Sequence, residues 1–214
     1  MPTIRPLVLL AVLLGATAAA MDSGVVRFVA DRALAERGPV VLAGDGEKSG
    51  PVVLPASHLS EPVAAPARSF VVRPEKGDAA IAKVALPERG RSFVVLLLEA
   101  EGGCKPVTLA SDDPAFKPSC IWFYNHADKP ISGEVGTTAF KLAPGEARFV
   151  KPAGPLPEKL YEVALRVKED DGERVLSRTR WPVEEQVRSY VVFYVDPATR
   201  RIKYRSVDEY IAAP

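Results

Sequence analysis

Two histidines, two cysteines and a few paired carboxylates are the groups through which this 214-residue chain could do chemistry. His58 follows Ser57 in a Pro-rich stretch, and His126 precedes Ala127-Asp128 in a turn. A Ser-His-Asp relay is defined by geometry, and no G-x-S-x-G elbow is present to expose a nucleophile at a strand-to-helix turn. Both histidines read as surface loop residues, and no catalytic residue is assigned. No H-x-H or H-E-x-x-H pair exists, so a zinc or copper site would need ligands gathered from distant positions. No metal and no cofactor is expected. Asp112-Asp113-Pro114 and Asp170-Asp171-Gly172 lack the spaced acidic loop of a calcium site and read as turn caps. Residues 44–50 (GDGEKSG) imitate a phosphate loop, but Lys48 follows Glu47 instead of Gly, and that carboxylate would repel a phosphate.

The aromatic residues are more suggestive. In a strand over 121–124 (IWFY), Trp122 and Tyr124 share one face while Ile121 and Phe123 share the other. In 190–194 (YVVFY), Tyr190 and Tyr194 share a face with Val192. If the two strands are neighbours, Trp122, Tyr124, Tyr190 and Tyr194 merge into a platform able to stack on a sugar or a peptide. The other reading buries these rings under a crossing loop or a second layer. Trp181, followed by Pro182, reads as the end of a strand and not as part of a site.

The address of the protein bears on its cysteines. Residues 1–20 carry a basic start at Arg5, an apolar core LVLLAVLL and a small-x-small ending at Ala18 and Ala20, which is the pattern of an export signal. That apolar run is shorter than the ~20 residues a bilayer span needs, so no transmembrane segment is expected after cleavage. Cleavage would remove one of the 28 basic side chains and none of the 27 acidic ones, leaving a neutral protein that is periplasmic or extracellular. Neutrality gives no electrostatic reason to bind nucleic acid. In an oxidising compartment, Cys104 and Cys120 read as a structural disulfide across a Pro-, Asp- and Ser-rich loop, with two free buried thiols as the other reading. On the chain-entropy view such a bridge would stabilise by roughly 3 kcal/mol.

Positioning these groups falls to short strands. Runs of β-branched and aromatic residues with period two recur from residue 25 to residue 205, separated by Pro, Gly and Asp turns. Strands are expected at 25–30, 40–43, 52–54, 68–73, 79–86, 92–99, 121–125, 131–135, 138–142, 146–150, 160–168, 174–181, 189–195 and 201–205. Residues 92–98, 120–125 and 189–195 are apolar on both faces and should be central strands covered on both sides, whereas 160–168 alternates as a strand with one solvated face. Helix is limited to two turns at 31–37, stopped by Gly38, and a terminal turn at 207–213. No fixed-period repeat is evident. The organisation expected is a signal over 1–20, an N-terminal β-hairpin segment and Pro-rich crossing over 21–67, and a main β-sandwich over 68–214 that packs with it as one unit.

The segment 121–152 (IWFYNHADKPISGEVGTTAFKLAPGEARFVKP) resembles secreted bacterial Ig-like or cupredoxin-like β-sandwich domains: an aromatic strand ending in Asn, a Pro-initiated hairpin and an L-x-P-G-E turn. The resemblance implies an all-β, Ig-like antiparallel sandwich. It brings no copper, because 189–205 contains neither His nor Cys. The functional expectation is an exported, non-catalytic protein that binds a protein or glycan partner in the envelope or outside it. The alternatives are a hydrolase or accessory enzyme on envelope polymers, with Asp112 and Asp113 in a cleft, and a structural or assembly subunit.

Overall fold

The structure is a computed structural model that describes residues 23–212; the expected export signal lies outside the described residues. The chain is all-β, with one short helix, α1 (Arg32–Ala35), inside the expected 31–37 segment and ahead of Gly38 at φ 91°. No helix among the described residues is long and apolar enough to cross a membrane.

Among the described residues, sixteen strands form four four-stranded sheets. The first inner sheet holds β1 (Val25–Ala30), β4 (Val63–Ala64), β7 (Ser92–Ala100) and β8 (Gly103–Ala110), in the order β4-β1-β7-β8. The first outer sheet holds β2 (Val40–Gly44), β3 (Glu47–Lys48), β5 (Ser69–Pro74) and β6 (Ala82–Ala85), in the order β3-β2-β5-β6. The strands on either side of residue 67 therefore share both sheets, because β2 pairs with β5 and β1 with β7.

The second half repeats this plan eight strands later. Its inner sheet is β12 (Ala147–Val150), β9 (Ile121–Asn125), β15 (Val187–Val195) and β16 (Ile202–Tyr210), in that order. Its outer sheet is β11 (Thr138–Leu142), β10 (Ile131–Val135), β13 (Leu160–Glu169) and β14 (Gly172–Pro182). The inner sheets are mixed, which corrects the expected antiparallel arrangement: β1 runs parallel to β7 as β9 does to β15, and the other ladders are antiparallel. The repeat lies in the pairing and not in the letters. A core position asks only for an apolar side chain, and the connecting loops differ in length, so no fixed period survives in the sequence.

Three apolar layers separate the four sheets. Val26, Phe28, Phe93 and Val95 face Leu42, Phe70 and Val84 across the first outer layer. Phe123, Val191 and Phe193 face Phe140, Val163 and Leu165 across the other. Between the two inner sheets, Val29, Val94, Leu96, Leu98 and Leu109 meet Trp122, Tyr124, Tyr190, Val192 and Val207. Hence β7, β9 and β15 are apolar on both faces: each lies inside its sheet with a layer on either side. β13 alternates buried Val163, Leu165 and Val167 with more exposed neighbours, as expected of a sheet with one wet face.

Three local expectations are corrected. Residues 103–110 are strand β8, paired with β7, although Pro106 interrupts their pattern; an edge strand tolerates a missing N–H. Residues 52–54 make only an isolated bridge, Val52 to Val40. Residues 207–210 continue β16 rather than turning into helix, because Val207 is held in the middle layer opposite Tyr190.

Candidate functional site

The rings expected to form a platform are neighbours, since Trp122 pairs with Tyr190 and Tyr124 with Val192 in the parallel ladder of β9 and β15. Their faces do merge: Trp122 stacks on Tyr124 at 5.6 Å and meets Tyr190 edge-on at 6.4 Å. The merged face is roofed by the first inner sheet, however, and Trp122, Tyr124 and Tyr190 are each less than 5% exposed. Tyr194 is half-buried and pairs with Lys203. This aromatic face is a seam between the halves, with no free surface for a ligand.

The seam ends in charge. Glu209 accepts from Arg27 Nη1 at 3.0 Å, from Arg188 Nη2 at 2.7 Å and from the Tyr190 hydroxyl at 2.6 Å. Burial, reinforced by that carboxylate, raises the Tyr190 hydroxyl far above its ordinary pKa, so it stays a donor. Arg188 also donates to the carbonyls of Ser111 and Phe116 and covers the Phe116 ring at 4.8 Å. Elsewhere along the seam, Arg205 Nη1 donates to Ala30 O at 3.1 Å, and its Nη2 forms an ion pair with Asp31 Oδ1 at 2.8 Å.

The cysteines are free thiols, which corrects the expected disulfide. Cys104 pairs with Glu99 at one end of β8 and packs against the first outer layer. Cys120 belongs to the middle layer near Ser111, beyond the other end of β8. The two thiols lie in different apolar layers, and no bond joins them. Burial pushes the Cys104 thiol up to about 11, with Asp31 adding to the effect and Arg37 opposing it, so it is a poor nucleophile.

The other candidates are absorbed by local structure. Asp112 accepts the backbone N–H of Arg91 at 2.6 Å, and Asp113 that of Ala115 at 2.8 Å, so both carboxylates shape turns. His126 Nε2 lies 2.8 Å from Glu99 O, tying the second half to β7. His58 is exposed, 3.4 Å from Ser57 Oγ. Among the described residues, no group of three or more His, Cys, Asp or Glu could hold a metal ion.

A cleft emerges instead where the two sheets of the second half part. In the first half the corresponding edge strands approach closely, with Thr108 Oγ1 of β8 donating to Ala85 O of β6 at 3.1 Å. In the second half, edge strands β14 and β16 meet through side chains, Ser177 Oγ lying 3.3 Å from the Tyr204 hydroxyl. Beside that contact opens a cavity of about 180 Å³. One wall comes from the outer sheet, where Tyr161 and Trp181 are paired directly across β13 and β14. Trp181 is held from behind by Phe123 and from the side by Tyr204, with centroids at 6.4 and 6.3 Å. The facing wall comes from the inner sheet: Ser189 and Val191 on β15 opposite Asp208 and Ser206 on β16. Ser189 Oγ donates to Asp208 Oδ1 at 2.6 Å, and Glu184 stands at the rim. The lining contains no Lys, Arg or His.

Trp181-Pro182 ends β14 as the sequence suggested, and Trp181 also lines the cleft. A bulge between Leu165 and Arg166 shifts the register of the β13–β14 ladder, which pairs Trp181 with Tyr161. That bulge has no sequence signature. Compared with known proteins, the chain matches no family model and no curated protein.

Proposed function

We propose that this is an exported, non-catalytic binding protein, built from two tandem Ig-like β-sandwich modules, whose second module takes its partner in the cleft between β14 and β16. The observation that carries the reading is the contrast between the two halves. One strand plan brings its edge strands close at this margin in the first half and opens into a cavity in the second, where it presents a half-buried tryptophan beside hydroxyls and a carboxylate. Concave sites that join an apolar wall to a few convergent polar groups are where proteins bind small ligands and projecting groups of larger ones. The non-catalytic reading rests on the engaged state of the reactive groups: His126 is bonded to a backbone carbonyl, Asp112 and Asp113 cap turns, and the Cys104 thiol is held protonated.

The test is affinity capture from envelope and outer-surface fractions, run in parallel with the wild-type protein and Trp181→Ala. A partner retained by the wild type and lost by the variant is the expected result. Equal capture by both would place the binding surface elsewhere.

A further inference from the structure

The two walls of the cleft differ in a way that specifies its occupant. Tyr161 and Trp181 sit directly opposite each other on adjacent antiparallel strands, and both line the outer-sheet wall of the cleft. A cage for a quaternary ammonium needs aromatic faces on several sides, and here the facing side carries no aromatic ring. That side carries the Ser189 and Ser206 hydroxyls and the Asp208 carboxylate. A matching ligand has one flat C–H face and a periphery of hydroxyl donors and acceptors.

We infer that the cleft binds a pyranose ring of a neutral glycan, stacked on Trp181 and Tyr161 and hydrogen-bonded along its edge to Ser189, Ser206 and Asp208. This rests on the proposed cleft function and adds the ligand class. Charge sets the specificity. With Asp208 and Glu184 in the lining and no cationic side chain, uronic acids, sialic acids and phosphorylated sugars are repelled. Size sets the mode. About 180 Å³ is smaller than the ~300–1,000 Å³ of sites that enclose a whole small molecule, so the cleft accepts one ring of a longer chain and leaves the rest in solvent.

The chain's two tryptophans make the test clean, since Trp122 is sealed in the middle layer and Trp181 lines the cleft. The full chain is titrated with neutral oligosaccharides (gluco-, xylo- and N-acetylglucosamine-based), with oligogalacturonate and with choline, following tryptophan emission and saturation transfer to the ligand C–H protons. The expected result is a saturable emission change with one or more neutral oligosaccharides and none with oligogalacturonate. Affinity should fall at least tenfold in Trp181→Ala, be largely kept in Trp181→Phe, and drop several-fold in Asp208→Ala. The last variant changes an exposed side chain and so serves if Trp181→Ala folds poorly. Binding of choline or oligogalacturonate in preference to neutral sugars would overturn the inference, as would silence toward every sugar. If silence toward sugars accompanies a captured partner that Trp181→Ala loses, the cleft function stands and only the ligand class falls.

Discussion

Asp196 shows how one side chain can set a local pH response. It opens the turn between β15 and β16, accepting from Lys203 Nζ at 2.5 Å and from the Thr199 backbone N–H and hydroxyl at 2.8 and 2.9 Å. Those donors, the lysine first, pull its carboxyl from 3.8 to about 2. A depressed carboxylate contributes stability that is present above the unfolded pKa and is lost as the pH falls through the folded one. Asp196→Asn should therefore be less stable than the wild type at pH 7, and the gap should close as the pH falls from about 4 to about 2. Urea unfolding at pH 7, 4 and 2 measures this, and a gap that does not change with pH would refute it. A different constraint acts at Gly133 in β10. A Cβ there would lie 2.6 Å from the Phe140 ring, which already stacks on Phe123 at 4.3 Å. The second outer layer is thus packed against bare backbone at this point.

At the scale of elements, the inner sheets are joined by one carboxylate carrying two guanidinium groups. Glu209 and Arg188 side chains are each 11% exposed, so removing one partner leaves a nearly buried charge. Glu209→Ala should cost about 3–5 kcal/mol of unfolding free energy in denaturant titrations. Adding Arg188→Met should recover much of that loss, because the orphaned charge is then gone as well. A double variant no better than the single one would show that packing of the Glu209 side chain, and not charge pairing, dominates. The strands in this region were legible because burial on both faces leaves its mark in the letters: 92–98, 120–125 and 189–195 carry apolar residues at odd and even positions alike, and each lies between two layers. What covers each face was not legible, since period two assigns sides but not neighbours. The aromatic residues of β9 and β15 suited both a sugar platform and burial under a second sheet, burial being the better reading. The strand end at Trp181-Pro182 was legible, whereas β8 was hidden by its proline and its polar neighbours.

For the whole molecule, the middle layer makes the halves interdependent. Val94, Leu96 and Leu98 project from the first inner sheet into side chains supplied entirely by residues beyond 115, apart from Val29, Leu59 and Leu109. A chain of residues 23–117 keeps its own outer layer but exposes this apolar face, a patch large enough to drive association. It should bind hydrophobic dyes and self-associate in analytical ultracentrifugation while the full chain sediments as a smaller, dye-silent species. A half that stays monomeric and ignores the dye would mean that the middle layer is dispensable.

The parallel pairing of first and seventh strands has a consequence in time. Val25 finds its partner only at Ser92, and Ile121 only at Ser189. During synthesis, β1 must wait for some two-thirds of its half to emerge, and β9 waits likewise. Such long-range closures place folding toward the slow, ms-to-s end of single-domain behaviour and leave β1 (VVRFVA) and β9 (IWFYN) without their parallel partners meanwhile. An oligomer-prone interval is thus written into the order in which the chain appears, and a holding chaperone would matter most before residue 92 arrives.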